Sequence, residues 1–357
     1  KEETKAQYLS CPGLAISTVL MENVGLYIEN FSGTSYTADE NDTLMRFGKV
    51  FQQTYTRFLD LQKAEALTRE TQVELSLERI RSQAAAMKHP SDLLDVVVSM
   101  RTEFTSLGHE AGYFWHMRWL PEKYQKAMTS GDGTRIATVM ELPRRIHGEI
   151  KVLADWEKSD EPFVIFPMDV EATLDYVHKM GEWGDFERID PNMPTEEDVR
   201  QMGGITYVMA RTSLGEIGYS LVGYVERVPQ PELDIFIRFA KAFNLAHKRF
   251  EDLKKSERQT RETQIELALE KVRSRTMAMQ KSEELPEAAN NLFLQVQDLG
   301  IPAWSAGYCI WTDDKKGSTA CMSSEGVVQK PFVLPNVGVG YNFQEPLKKF
   351  MSIIMIK

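Results

Sequence analysis

The chain has 357 residues, of which 42% are hydrophobic and 26% are charged, and its formal net charge is -10. This length exceeds one typical hydrophobic core, so two or three domains are expected. The acidic balance argues against a nucleic-acid surface, which needs a basic face, and the sequence has no run of about 20 apolar residues that would span a membrane.

Neither the cysteines nor the first residues carry a recognisable metal-binding or export signal. The three cysteines, Cys11, Cys309 and Cys321, share no CxxC or metal-ligand spacing, so free thiols in a reducing cytosol are expected. The sequence begins at Lys1 without Met or a signal-peptide pattern and is interpreted as a fragment or a trimmed chain. The expected location is cytoplasmic.

One long segment occurs twice in the sequence. Residues 69–80 read RETQVELSLERI and residues 261–272 read RETQIELALEKV, an offset of 192 positions. Upstream, RFGKVFQQTYTRF at 46–58 matches RFAKAFNLAHKRF at 238–250 with the same offset. A repeat of this length predicts an architecture of repeated units.

Each copy is predicted to be a long helix, because apolar residues recur every three or four positions and no Pro or Gly interrupts 49–87 or 232–281. About 45 helical residues span roughly 65–70 Å, too long to bury the apolar stripe on one small domain. The favoured partner is the same helix of a second subunit in a parallel coiled coil, and the alternative is a solvated helix packed on its own chain. The polar stretch 254–264 would loosen the register. In the second copy the seam would use Phe239, Phe243, Ala246, Phe250, Ile265 and Leu269.

The segment before the first long helix predicts a hairpin. Residues 14–20 and 24–30 read as two strands, and a polar loop follows them. The long helix then begins, with Asp42 or Thr43 as its N-cap.

The middle of the chain predicts helices packed on an antiparallel sheet. Ser91 is expected to cap a helix that Gly108 stops. The elements that follow are strands at 111–120 and 134–142, a helix at 144–160, a strand at 162–167, helices at 170–183 and 195–202, and a closing hairpin at 205–212 and 216–226.

The pattern restarts after the second long helix. Ser282 is expected to begin another amphipathic helix, which Gly300 stops. A strand at 303–311, a turn at 313–317 and a strand at 318–325 follow, and the last residues do not complete a domain.

The unit 91–231, with the long helix that leaves it, resembles a GAF domain. The likeness lies in the opening helix SDLLDVVVSMRTEFTSLG, the aromatic first strand, the closing hairpin and the exit helix. The segment SERQTRETQIELALEKVRSRTMAMQKSEEL looks like the linker between GAF-like modules of bacterial sensor proteins, which often end in a histidine kinase, a cyclase or a transcription-factor domain. The resemblance implies an α+β fold: repeated modules, each a six-stranded antiparallel sheet flanked by helices with a ligand site above it, joined by long coiled-coil helices.

The resemblance divides the chain into the C-terminal part of one module (1–41), a linker helix (42–89), a complete module (91–231), a second linker helix (232–281) and the N-terminal part of a third module (283–357). The terminal parts are either truncated modules or complementary parts that two chains complete together. The NKxnFxxxDE pattern of cyclic-nucleotide-binding GAF domains is absent, and the middle module has no Cys for a bilin thioether, so the residues identify no cofactor.

No enzyme motif is present, so the chain itself is not expected to be an enzyme. The sequence lacks GxxxxGK[ST], GxSxG, HExxH and GxGxxG patterns. His247, on the second long helix, is interpreted as an ordinary helix residue, because Tyr55 holds its place in the first copy.

The candidate ligand site is an aromatic and basic set in the middle module. Alternation places Tyr113, Trp115 and Trp119 on one face of the first strand and the basic residues on the other. The set would line a pocket for a flat or anionic ligand, or its rings are simply the core between sheet and helices. Arg144 and Arg145, at a helix start, favour a nearby anion or lie on a solvated surface. The candidate residues are Tyr113, Trp115, His116, Arg118, Trp119, Trp156, His178 and Trp183.

Two functions follow from this sequence. The first is an intracellular sensor region, in which GAF-like domains sense a small ligand or partner and dimeric coiled-coil helices relay the signal to an output domain outside this chain. The second is a structural dimerisation scaffold with no ligand. Both imply a homodimer, without nucleic-acid contact through this region and without a membrane span.

Overall fold

The computed structural model describes residues 2–281, 284–313 and 317–335. The chain divides into two compact units, Lys1–Glu251 and Asp252–Lys357, and each is described by itself. Among the described residues, no helix has both the length and the apolar character needed to cross a membrane.

The first unit opens with a helix, a hairpin and a long helix. These elements are α1 (Glu2–Ser10), β1 (Ala15–Leu20), β2 (Gly25–Asn30) and α2 (Ala38–Ala86). The sequence predicted Asp42 or Thr43 as the N-cap of α2, but the N-cap is Thr37. The Thr37 hydroxyl accepts from the Glu40 N–H, and the Glu40 carboxylate accepts from the Thr37 N–H, so a capping box starts the helix one turn earlier.

The middle of the first unit contains most of its secondary structure. Its helices are α3 (Leu93–Ser106), α4 (Arg145–Gly148), α5 (Lys151–Lys158), α6 (Val170–Trp183), α7 (Glu196–Met202) and the start of α8 (Gln230–Met277). Its strands are β3 (Phe114–Trp119), β4 (Lys123–Thr129), β5 (Ile136–Pro143), β6 (Phe163–Met168), β7 (Asp185–Arg188), β8 (Ile205–Thr212) and β9 (Gly215–Val222).

The seven strands form one antiparallel sheet in the order β6-β8-β9-β3-β4-β5-β7. The sequence missed β4, which carries two lysines and a glutamine in seven residues, and it missed the short edge strand β7. The sheet therefore has one strand more than the resemblance implied. This mixed architecture, with antiparallel sheets and long helices, is compatible with a GAF-like fold.

One face of the sheet is covered by helices that the sequence assigned to a dimer seam. Phe239 and Phe243 of α8 and Leu77 of α2 are fully buried inside the first unit. The expectation of a subunit seam at Phe239, Phe243, Ala246 and Phe250 is wrong. Helix α8 begins soon after β9, so its first six turns pack inside the first unit and bury these side chains. The alternative, packing on the same chain, holds for these turns.

The second half of α2 runs beside the first half of α8. The Arg238 guanidinium pairs with Glu70 at 2.8 Å and with Glu74 at 2.5 Å, and the Arg249 Nε donates to the Met87 carbonyl at 3.1 Å. Because both contacts advance along both helices in the same direction, the two helices are parallel here. The two long helices are thus in lateral contact within one unit.

The second unit contains the rest of α8, one further helix and a small sheet. Its elements are α9 (Leu285–Asp298), β10 (Ser305–Trp311), β11 (Gly317–Ser324), β12 (Val327–Val328) and β13 (Phe332–Pro335). The strands pair in the order β10-β11-β12, and β13 also pairs with β11. The predicted cap at Ser282, part of the turn at 313–317 and residues 336–357 lie outside the described residues.

Candidate functional site

The candidate residues on β3 divide between the two faces of the sheet. Trp115 and Trp119 face the core formed with α5 and α6, whereas His116 and Arg118 face α8. The structure therefore divides the predicted residues between two sites, one on each face of the sheet at β3.

On the first face, a buried carboxylate joins two tryptophans. The Trp115 Nε1 donates to Glu216 Oε1 at 3.1 Å, and the Trp119 Nε1 donates to Glu216 Oε2 at 3.3 Å. Gly218 makes this arrangement possible, because a Cβ at this position would lie 2.2 Å from the Trp115 ring. The Glu216 cluster is defined here as Glu216, Trp115, Trp119, Lys126 and Tyr207.

Lys126 brings a buried cation to this cluster. Its Nζ lies 4.4 Å from the centre of the Trp115 ring and 5.4 Å from that of Tyr207, within the range of cation–π attraction. Burial lowers the pKa of Lys126 to about 8, although the nearby Glu216 opposes the shift. Burial likewise raises the pKa of Glu216. Two opposite charges in an apolar core depend on each other, because neither has water to stabilise it.

Trp156 extends the aromatic wall beside Trp119. The two rings meet edge to face at 5.5 Å, and the Arg211 guanidinium lies 5.1 Å from the Trp119 ring and 5.0 Å from the Trp156 ring. The Trp156 Nε1 donates to the Glu161 carbonyl at 3.0 Å. Each indole N–H of this wall thus already has a protein acceptor.

A second buried carboxylate, Glu157, is surrounded by donors. The His147 ring nitrogen lies 2.6 Å from its Oε1, Arg144 pairs with its Oε2 at 2.8 Å, and the Tyr124 hydroxyl donates to Oε1. Burial alone would raise the pKa of Glu157, but the His147 and Tyr124 hydrogen bonds outweigh burial and lower it. The anion beside Arg144 is therefore the Glu157 carboxylate of the same chain.

Three candidate residues lie at the margin of the core or outside it. The Tyr113 hydroxyl donates to the Asn192 carbonyl at 3.4 Å, and the Trp183 ring is covered by the Arg145 guanidinium at 3.9 Å. His178 is exposed and pairs only with Glu196 among its described contacts, at 3.1 Å. The structure does not bring His178 into the site.

On the opposite face, two buried histidines lie between β3 and α8. The ring centres of His116 and His247 are 5.9 Å apart. Among the described residues, His116 Nδ1 and both His247 ring nitrogens have no hydrogen-bond partner. Burial lowers the pKa of His116 to about 4 and that of His247 to about 3, and the nearby Arg118 adds to both shifts. Both imidazoles are neutral at physiological pH.

Further contacts fix α8 to the sheet at both ends of this face. The Glu232 carboxylate accepts from the Tyr219 hydroxyl at 2.6 Å and lies 3.2 Å from the His109 Nδ1. Near the other end, Arg118 pairs with Glu251 at 2.9 Å and lies 4.6 Å from the Phe250 ring centre. Strand β3 thus contacts the Glu216 cluster on one face and α8 on the other.

Sequence reasoning found the tryptophans of the site but missed its charges. Lys126 was missed because no strand was predicted at 123–129, although Tyr124, Lys126 and Met128 alternate as one buried face. Glu216 sits in a strand that was predicted correctly, where a lone carboxylate between apolar residues was the available signal. Within the described ranges, no group of three or more His, Cys, Asp or Glu side chains is arranged to hold a metal ion.

No protein-family model matches the sequence, and no curated protein matches it either. Similar solved structures include a bacteriophytochrome from the photosynthetic bacterium R. palustris, with 9% identity and a TM-score of 0.39 over 94% of this chain and 58% of that chain. The phytochrome photosensory core module of Stigmatella aurantiaca has 11% identity and a TM-score of 0.35 over 95% of this chain and 56% of that chain. This chain spans less than two thirds of either protein.

Proposed function

We propose that this chain is the regulatory region of a signalling protein. Its GAF-like modules respond to a small ligand or a partner, and its long helices relay the response, as a homodimer, to an output domain outside this chain. The proposal assigns no catalytic step to the chain. The positions of the helices support the proposed tandem repetition: α2 begins at 38 and α8 at 230, and α3 begins at 93 and α9 at 285, so the starts are 192 positions apart.

One observation carries the proposal: strand β3 is shared between the Glu216 cluster and α8. Trp115 and Trp119 bind Glu216 on one face, while His116 and Arg118, between and beside them, pack on α8. Because protein cores are close-packed, a change in the cluster that shifts β3 must also shift the start of the long helix. Because Arg238 of α8 pairs with Glu70 and Glu74 of α2, a displacement of α8 would also move α2.

The Glu216 cluster is the proposed sensing site. Two opposite charges buried among aromatic rings are finely balanced, since their mutual attraction has to offset the desolvation of both groups. A flat or anionic ligand that displaces an indole from Glu216, or that pairs with Lys126, would change this balance. Lys126 is the group that would recognise an anion, because its ammonium is the cation of the cluster.

The proposed homodimer uses the parts of the long helices that the sheet does not cover. Leu75 on α2 and Leu267 on α8 hold the same place in the repeat, and they are 54% and 59% exposed. A leucine exposed at the same position of both copies fits a seam between subunits. The polar stretch 254–264 gives that seam a weak register, which is suited to two packings of similar energy.

The alternative function is a dimerisation scaffold that binds no ligand. It is favoured by the satisfied polar atoms of the cluster: both Glu216 oxygens accept from indoles, and Arg144 is paired with Glu157. In that case the aromatic residues are only the core of the module.

A binding experiment separates the two functions. The purified chain is analysed by native mass spectrometry and then denatured, and any released compound is identified. Retention of a small molecule by the wild type, and its loss in the Lys126→Met variant but not in a Lys158→Met control, supports the sensor. A chain that carries nothing, and whose melting temperature does not respond to a library of anionic and aromatic compounds, supports the scaffold.

A further inference from the structure

Inside the middle module, α3 and α8 meet through one aromatic side chain. The Phe104 ring of α3 lies 5.5 Å from the Phe236 ring and 5.6 Å from the Phe239 ring, both on α8. It also lies 5.0 Å from the Tyr219 ring on β9. Phe104 therefore fills a pocket formed by one strand and the first turns of a long helix.

The corresponding turns of α2 border an open groove at the N-terminal end of the chain. Leu44 and Phe47 lie 192 positions before Phe236 and Phe239, whereas Tyr27, the counterpart of Tyr219, lies on the other face of the hairpin of β1 and β2. Leu44 and Phe47 line a groove of about 340 Å³ together with Ile28, Asp39, Glu40 and Thr43. Phe47 is 58% exposed, whereas its counterpart Phe239 is fully buried. Phe47 and Phe51 therefore form an exposed apolar surface on α2 beside this groove.

The second unit carries the helix that fits such a pocket. Helix α9 spans 285–298, where α3 spans 93–106, so the two hold the same place in the repeat. Leu292 and Val296 of α9 stand where Met100 and Phe104 stand in α3. The α3 residues are fully buried, but Leu292 and Val296 remain partly exposed. The face of α9 that corresponds to the α8-binding face of α3 is thus still accessible.

The charges around these two surfaces are complementary in the same way. In the middle module, Arg238 pairs with Glu70 and Glu74, and Arg249 donates to the Met87 carbonyl. Every one of these residue types is kept in the repeat, but on separate units. The two arginines correspond to Arg46 and Arg57 at the N-terminal end. The two glutamates and the methionine correspond to Glu262, Glu266 and Met279 in the second unit.

We propose that the N-terminal surface, formed by Arg46, Phe47 and Phe51, docks on the second unit of another copy of this chain. In this contact α9 enters the open groove, and Arg46 pairs with Glu262 and Glu266. The contact is head-to-tail, so it builds chains of molecules and is distinct from the parallel dimer of the proposed function.

Sedimentation of the 357-residue chain over a wide concentration range tests this proposal. We expect species heavier than a dimer of the 40.8 kDa chain, and their fraction grows with concentration. Phe47→Glu should weaken this assembly at least tenfold, because it places a charge in the apolar groove. A mass that never exceeds that of a dimer would overturn the proposal.

A matched pair of charge variants separates this contact from the parallel dimer. Arg46→Glu should reduce head-to-tail assembly, whereas Lys49→Glu should not, because Lys241, its counterpart in the middle module, is exposed. A chain carrying Glu262→Arg and Glu266→Arg should also fail to assemble alone, with unchanged circular dichroism. Mixing it with the Arg46→Glu chain should restore a heterotypic contact. A parallel dimer pairs each residue with its own copy and predicts no rescue, so an absence of rescue contradicts the proposal.

Discussion

Glu216 and Lys126 place two ionisable groups in an apolar core, where each one stabilises the other's charge. The carboxylate accepts two indole hydrogen bonds, and the ammonium lies over two aromatic rings. Removing one member leaves the other charge buried and uncompensated, which is typically costlier than replacing both.

Glu216→Ala should therefore destabilise the first unit by about 3–5 kcal/mol. The cost arises because Lys126 loses its counter-charge and two indole N–H groups lose their acceptor. Urea denaturation followed by tryptophan fluorescence measures the change. The control is Glu226→Ala, which removes an exposed carboxylate of the same unit. Equal stabilities of the two variants would contradict the described role of Glu216.

The two buried histidines predict a loss of stability in acid. Their pKa values in the folded chain, about 4 for His116 and about 3 for His247, lie below the ordinary value of 6.5. The unfolded chain then binds protons more readily than the folded chain, so the stabilising contribution is complete above pH 6.5 and declines as the pH falls towards 4.

Unfolding measurements at pH 7.5 and pH 5 test this dependence. We expect the His116→Phe/His247→Phe chain to lose less stability than the wild type between these pH values, since it lacks both sites. Arg118, whose charge contributes to lowering both pKa values, is unchanged in both chains. An equal loss in both would show that other groups control the acid sensitivity.

At the scale of elements, the sequence predicted the existence of the long helices well and their burial poorly. An uninterrupted three–four periodicity located α2 and α8 to within a few residues, because helix formation depends on local pattern. The surface against which the apolar face of each helix packs depends on residues that are distant in the sequence. Phe243 was assigned to a subunit seam although it packs against the sheet. Lys126 was missed together with β4, because the polar sequence of β4 gives no sign that it pairs with β3 and with β5.

Phe243→Glu should consequently unfold the first unit instead of merely weakening a dimer. The side chain is fully buried beside His116 and His247, so a carboxylate there would be desolvated without a partner. Circular dichroism and thermal unfolding measure the effect. A well-folded variant with only a reduced mass would support the seam that the sequence suggested.

At the scale of the whole molecule, the account requires a parallel homodimer through the uncovered parts of the long helices. Leu267→Glu should weaken that dimer at least tenfold without changing the unfolding of the first unit, because Leu267 is exposed in the single chain. Light scattering of the Phe47→Glu background, in which head-to-tail contacts are suppressed, gives the dimer mass without interference. A dimer that is insensitive to Leu267→Glu would place the seam elsewhere.

In the proposed relay, a change in the Glu216 cluster reaches the long helix that leaves the module. Amide hydrogen exchange in residues 254–264 of the homodimer, compared between the wild type and Lys126→Met, measures this relay. We expect the variant to change exchange both in β3 and β9 and in residues 254–264. A change confined to the sheet, with unaltered exchange in residues 254–264, would contradict the relay.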